Sequence, residues 1–321
     1  MSLSLLTLNN DVMPILLKNL DKESLLILGL VSKELYKTLK ELNPNKKLIA
    51  SLKYLSSNLS LLKYANKNGC PLNNRTIKNI LNVTNNEPLE CLKYAYENGY
   101  SWGEWTCNLA ALHGHLECLK YLHENGCDWE GHACNFAALH GHLECLKYVH
   151  DNGCPWTEVT CEYAAKNGQL ECLKYAHENG CPWDKCTTNS AVEYGHLECL
   201  KYCHENGCGW TEYTCQLPAK SGHLECLKYL HENGCPWSTS TCNAAATGGH
   251  LECLKYAREN GCPWNEHTCT CAAGMCGKGH LECLKYCHEN GCPWNALTCT
   301  YAAMRGHLEC LKYARDNGCP E

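Results

Sequence analysis

The stretch GHLECLKYVHDNGCPW, from Gly141 to Trp156, decides the fold of this chain because near-copies of it recur along most of its length. The other close copies begin at Gly114, Gly168, Gly195, Gly222, Gly249, Gly279 and Gly306. Successive copies are 27 residues apart, except for one spacing of 30 residues, between Gly249 and Gly279. A unit this short cannot bury its own apolar face, so the units must stack on one another.

Each unit is predicted to form two short helices. In the copy around residue 168, Thr160 is expected to cap the first helix, CEYAAKN, and Gly168 to end it in the left-handed conformation. The second helix, LECLKYAHE from Leu170, has apolar residues at helical spacing and ends at Gly180. A Cys-Pro-Trp turn then leads into the next unit, because proline cannot extend the helix.

This unit resembles the ankyrin repeat. Thr160-Cys161, Ala164-Ala165, Gly141-His142 and Gly153-Cys154 occupy the corresponding places in the order that the family uses. The resemblance covers roughly residues 50–321 and implies an all-α, ankyrin-like α-solenoid that binds other proteins. The unit is about six residues shorter than the family's 33. The missing residues all follow the Gly-Cys pair, so we expect compact turns instead of projecting hairpins.

Composition narrows the class of protein. Hydrophobic residues make up 45% of the 321 residues and the net charge is −6, which favours a folded chain and argues against a nucleic-acid groove. The sequence has no apolar run of membrane-spanning length and no secretory signal at its start. These features predict a soluble, cytoplasmic protein with neither nucleic acid nor membrane among its partners.

Most of the 30 cysteines fall into three columns of the repeat, exemplified by Cys134, Cys145 and Cys154. Equivalent residues of stacked helices lie roughly 8–10 Å apart, whereas a disulfide needs Cα atoms within about 7 Å. Free cysteine behaves as a small apolar residue. We therefore interpret the columns as core positions of a protein in a reducing compartment.

Residues 1–45 differ from the rest of the chain and predict three short helices with more apolar surface than they can bury. Their pattern resembles the F-box, which implies docking onto the Skp-type adaptor of a cullin ubiquitin ligase. The residues expected to contact that adaptor are Leu8, Val12, Ile15, Leu16, Leu20, Leu25, Leu28 and Val31. The alternative is a helical cap that shields the first repeat.

The remaining chain divides into degenerate first repeats, residues 46–88, and ankyrin-like repeats, residues 89–321, where LECLKY occurs nine times. Together with the F-box-like segment, this organisation is similar to that of ankyrin proteins of large DNA viruses. Atypical terminal units are expected of a solenoid, since one face of the first unit meets something other than a repeat.

The recurring chemical groups favour structural roles. The tryptophan column is expected to seal consecutive units, and the Gly-His histidines to hold their turns by hydrogen bonds. A second column near the end of the second helix contains histidine in most units and arginine in two. We expect these side chains to interact with the C-terminal end of the helix dipole or to be solvated. Catalytic groups need a singular environment, which repeated copies lack, so we expect no enzyme activity and no cofactor.

One cysteine-rich segment requires a separate test for metal binding. Cys269, Cys271 and Cys276 lie near His267 and His280, in the unit that carries the three-residue insertion. CxxC pairs are typical of structural zinc sites, and the sequence contains no CxxC pair. We therefore predict a loop there and no metal site.

The residues that differ between copies are the candidates for target recognition. They follow the tryptophan or lie at the end of the first helix, which lines the concave face of ankyrin-like stacks. The predicted target-binding residues are His140, Glu158, Lys166, Lys185, Glu193, Tyr194, Tyr213, Lys220, His267 and Arg305. The predicted function is that of an adaptor recruiting an unknown protein target to a cullin ligase. The alternatives are a scaffold without a ligase link and a metal-binding cysteine-rich protein.

Overall fold

The computed structural model describes residues 59–67, 72–82, 88–103, 105–129 and 132–320. The F-box-like segment with its eight predicted adaptor contacts lies outside the described residues. The chain forms two compact units, Met1–Trp129 and Glu130–Glu321.

In the first unit, the described residues form α1 (Leu59–Lys67), α2 (Asn74–Leu81), α3 (Pro88–Glu97), α4 (Thr106–Leu112) and α5 (Leu116–Glu124). The second unit contains α6 (His132–His140), α7 (Leu143–Asp151), α8 (Glu158–Lys166), α9 (Leu170–Glu178), α10 (Lys185–Glu193), α11 (Leu197–Glu205) and α12 (Gln216–Ser221). It continues with α13 (Leu224–Glu232), α14 (Thr239–Gly248), α15 (Leu251–Glu259), α16 (Glu266–Ala272), α17 (Leu281–Glu289), α18 (Ala296–Met304) and α19 (Leu308–Asp316). No strand occurs in the described residues, and the predicted all-α architecture of stacked helix pairs is confirmed.

The first helix of most pairs starts earlier than the sequence suggested, as α8 shows. α8 begins at Glu158, and Thr157 is its N-cap residue. Thr160, the predicted cap, lies inside the first turn, where its hydroxyl accepts the Thr157 N–H at 3.4 Å. The cap and the first turn are therefore built by the variable residues that follow the tryptophan.

The ends of the helices agree with the prediction. Gly168 and Gly180 have φ values of +68° and +82°, the left-handed region that glycine enters at low cost. Leu173 and Ala176 of α9 are fully buried, and the equivalent positions of the other second helices fill the same core. Burying such a row of small apolar side chains is the main stabilising term of a stack.

Two units depart from the regular pattern. α12 begins only at Gln216 because Pro218 lacks the N–H that an earlier start would require. α16 ends at Ala272, and the insertion that follows forms turns through Gly279, as predicted. None of the helices in the described residues is long and apolar enough to cross a membrane.

Candidate protein-binding surface and thiol clusters

The first helices of the second unit pack closely on one another, whereas the second helices contact each other less. Small residues cause this difference, since Ala164 and Ala165 of α8 are fully buried between neighbouring first helices. Closer packing on one side makes a stack of helix pairs curve toward that side. The first helices therefore line the inner side of the second unit.

The predicted target-binding residues lie at the two ends of these first helices. Nine of the ten are exposed and Lys166 is half-buried. One row, at the N-terminal ends, contains Glu158, Lys185, Tyr213 and His267; the other, at the C-terminal ends, contains His140, Lys166, Glu193, Tyr194, Lys220 and Arg305. A nine-residue helix is about 13 Å long, so the structure places these residues in two separate rows rather than in one cluster.

Two exposed aromatic side chains belong to these rows. Tyr213 is 63% exposed and Tyr194 is 45% exposed. The Lys166 ammonium lies 5.0 Å from the centre of the Tyr194 ring, which joins two neighbouring units across the row. Exposed tyrosines are well suited to protein recognition, because tyrosine offers a large contact area with few rotatable bonds.

The repeated aromatic residues lie between consecutive second helices. The Trp156 ring stacks on His150 of its own unit, with 3.5 Å between ring centres, and meets the edge of Tyr175 from the next unit at 6.1 Å. The same arrangement recurs at Trp183 and Trp237. The tryptophan column seals neighbouring units, as the sequence indicated.

The second histidine column has a more specific role than the expected dipole or solvated one. His177 Nδ1 forms a 2.9 Å hydrogen bond with the hydroxyl of Tyr202 in the next unit while its ring stacks on Trp183. Where arginine replaces histidine, the Arg258 guanidinium lies 4.5 Å from the ring centre of Trp264. Both residue types present a flat group that packs against the tryptophan ring, which explains their interchange.

The Gly-His histidines bind the preceding unit instead of their own turn, which corrects the prediction. His196 Nε2 donates a 3.0 Å hydrogen bond to the carbonyl oxygen of Lys166. The ring occupies the space above Gly168, where a Cβ atom would lie 2.5 Å from His196 Nδ1. Gly168 is therefore required both by its positive φ and by the neighbouring ring.

The cysteine columns are buried, as predicted. Cysteines of different columns are in contact, which the spacing within one column did not predict. In each regular unit the first-helix cysteine lies beside the turn cysteine about 20 residues later, as with Cys161 and Cys181. The hydrogen bond from Cys161 lowers the pKa of Cys181. The Cys181 Sγ atom in turn lies 3.2 Å from the carbonyl oxygen of Thr157.

One unit gathers three thiols. The Sγ atoms of Cys269, Cys287 and Cys292 all lie within 4.8 Å of one another, and all three residues are buried. Hydrogen bonds from Cys269 and then Cys287 lower the pKa of Cys292. Cys271 and Cys276, which the sequence grouped with Cys269, are not part of this cluster. Cys276 is exposed on the insertion.

A groove in the first unit was missed by sequence reasoning. It encloses about 650 Å³ and is lined by Asn74, Ile77, Lys78, Tyr100, Trp102, Gly103, Trp105, Thr106 and Leu109. Within the described residues, the buried indole N–H of Trp102 has no hydrogen-bond partner. The walls come from segments about 26 residues apart, so only the stacking of neighbouring units brings them together.

Comparisons with known proteins found two similarities. A family model described as ankyrin repeats in many copies matches residues 107–150, 218–258 and 269–318. The chain is also similar to the human ASB11 ankyrin repeat domain in its crystal structure, with 21% identity and a TM-score of 0.43 over 49% of this chain and 84% of that one. No curated protein matches the chain.

The family match and the helix pairs lead to one conclusion. Residues 107–150, 218–258 and 269–318 match ankyrin repeats, and the described residues fold as an ankyrin-like α-solenoid whose units are shortened and rich in cysteine. Ankyrin repeats are a class of protein-interaction scaffold, and the helix pairs of this chain provide the extended surface that such scaffolds use.

Proposed function

We propose that this chain is an adaptor that recruits a protein target to a cullin-type ubiquitin ligase. The inner side of the second unit holds the target, and residues 1–45 dock onto the Skp-type adaptor of the ligase. The chain itself carries out no catalysis and takes no cofactor in this role. It acts in the cytoplasm, where the free thiols of the 29 described cysteines are stable.

The observation that carries the target-binding part is the contrast between repeated and varying residues. Repeated residues such as Cys172, Leu173 and Trp183 are buried or engaged with a neighbouring unit. The varying residues at the ends of the first helices are exposed in nine cases of ten. A protein partner that spans several units can therefore contact the residues that differ between units without disturbing the packing of the units.

The ligase part is supported by the F-box-like spacing of apolar residues in residues 1–45. The combination of this segment with ankyrin-like repeats is similar to that of proteins of large DNA viruses and supports the same role; for a viral protein, the cytoplasm in question is that of the host cell. Docking of short helices onto a partner would bury the apolar surface that they cannot cover themselves.

The direct test is a titration of purified full-length chain with a purified Skp-type adaptor. We expect a stable complex with the wild type and its loss with Leu16→Asp or Leu28→Asp, because a charge in an apolar interface costs several kcal/mol or more. Leu297→Asp is the matched control, since Leu297 is an exposed leucine of the repeats and its substitution should leave binding unchanged. No binding by the folded wild type would exclude the F-box role.

The alternative function is that of a scaffold or sequestering protein in which residues 1–45 only cover the first repeat. In that case the adaptor does not bind, whereas Leu16→Asp and Leu28→Asp lower the stability of the neighbouring repeats. A urea unfolding curve of the same variants distinguishes the two functions, since the ligase role predicts an unchanged midpoint.

A further inference from the structure

The three-thiol cluster in the second unit is the one group of three or more metal-binding side chains at ligand spacing among the residues that the structure describes. Cys269 comes from α16, Cys287 from α17, and Cys292 from the turn that follows. Cys269 and Cys287 are completely buried, and Cys292 is 4% exposed. The three sulfur atoms thus converge from three segments onto one point of the core.

Comparison with the other units shows that this convergence is unusual. The position of Cys287 is occupied by Ala257 and Ala314 in the neighbouring units, so only two thiols are available at the equivalent place there. Cys203 is the other cysteine at this position, but there Thr188 replaces the first-helix cysteine and donates a 3.2 Å hydrogen bond to Cys208. Packing alone is satisfied by alanine or threonine at these places, so three thiols are not needed to fill the core.

We propose that Cys269, Cys287 and Cys292 form a binding site for Cu(I). Thiolates are soft ligands, and Cu(I) is among the metal ions that they select. Metal–sulfur bonds of about 2.3 Å in a trigonal plane place the sulfur atoms about 4 Å apart. The observed upper limit of 4.8 Å accommodates this arrangement with a small side-chain adjustment.

Zinc fits the cluster less well. Structural zinc takes four ligands, and no fourth thiol, imidazole or carboxylate of the described residues joins the group at this spacing. Cu(I) is satisfied by three sulfur ligands. Binding releases thiol protons, since the ligands coordinate as thiolates. Cys292 lies nearest the surface and provides the route by which the ion enters.

The test uses full-length reduced protein without oxygen, supplied with less than one equivalent of Cu(I) from a chromophoric chelator. X-ray absorption at the copper edge should show three sulfur neighbours in the wild type. Cys287→Ala should weaken the affinity for this first equivalent by at least about tenfold, because even the loss of a group supporting a ligand costs that much. Any copper left on the variant should have two sulfur neighbours, with shorter bonds.

Cys203→Ala is the matched control, because it removes a cysteine from the same position of a unit whose thiols form no three-thiol cluster in the described residues, and it should leave both readouts unchanged. If Cys287→Ala does not fold, Cys269→Thr reproduces the residue found at Thr188 and serves the same purpose. The proposal is overturned if the wild type binds no Cu(I), or if its first equivalent has two sulfur neighbours. An unchanged affinity of the folded variant overturns it as well. These outcomes do not depend on the ligase role.

Discussion

Single residues show how neighbouring units recognise each other. The Thr160 hydroxyl donates a 2.6 Å hydrogen bond to Asn135 Oδ1 of the preceding unit. Thr214 and Thr268 bond to Asn189 and Asn243 in the same way. In the unit between Thr160 and Thr214, Glu162 stands where asparagine would face the threonine, and within the described residues the buried hydroxyl of Thr187 has no hydrogen-bond partner. Identical threonines therefore differ in energy according to the residue opposite.

This difference gives a paired prediction. Thr160→Val should destabilise the protein by about 1 kcal/mol or somewhat more, because it leaves the Asn135 amide oxygen without its donor and also removes the longer hydrogen bond from the Thr157 N–H. Thr187→Val should be neutral or stabilising, since it replaces a buried, unbonded hydroxyl by a methyl group. Urea unfolding of both variants measures the difference. Equal shifts of the two midpoints would show that the Thr–Asn hydrogen bond contributes nothing.

Sequence reasoning recognised which residues are buried but not which of them meet. The columns containing Cys161 and Cys181 are in the core as predicted. Their contact, and the cluster of Cys269 with Cys287, depend on how two helices and a turn fold onto each other within a unit. Spacing within a single column contains no information on contacts between columns.

At the level of the helix, caps decide where each element starts. Asp184 accepts the Cys186 N–H at 2.8 Å, and Asn265 accepts the His267 N–H at 3.1 Å. Thr160 is the cap that the sequence predicts and Thr157 is the observed one, because threonine can cap at either position and propensity alone does not fix which residue caps. The consequence for function is that Glu158, Lys185 and His267 are held in a rigid first turn rather than in a loop.

The shortened helix α12 provides the second prediction. The equivalent position of other units is alanine, as at Ala164 and Ala245. Thr211 already has the contact of an N-cap residue, because its backbone N–H donates a 2.9 Å hydrogen bond to Thr214 Oγ1. Pro218→Ala should therefore extend the helix toward Glu212 and stabilise the protein by about 1–3 kcal/mol.

The melting temperature and the helical circular dichroism signal of Pro218→Ala should both rise. Pro236→Ala is the control, because Pro236 lies in a turn after the second helix and its loss should give no gain. A Pro218→Ala variant with unchanged or lower stability would mean that a proline-free sequence does not prefer the longer helix at this place.

For the whole molecule, the 27-residue period was sufficient to predict the helix pairs and their stacking. The period could not indicate the division at Trp129, nor that the candidate target residues form two rows about 13 Å apart. Both features depend on packing that differs from unit to unit. What the repeat does establish is which residues are free to vary, since Leu173 and its equivalents cannot change without creating a cavity.

The central claim is that protein binding resides in the varying residues of the inner side. Its most direct measurement is affinity capture of the full chain from its native cell with quantitative mass spectrometry, comparing the wild type with the double variant Tyr194→Ser, Tyr213→Ser. Each exposed tyrosine that acts as an anchor contributes more than about 1 kcal/mol, so at least one specific partner should fall by about tenfold or more.

Leu308→Ser serves as the control in the same measurement, because Leu308 is 71% exposed but begins a second helix away from both rows. The account predicts that this variant retains the partners that the double tyrosine variant loses. Identical sets of partners at identical levels for all three proteins would contradict the claim that the varying inner-side residues bind the target.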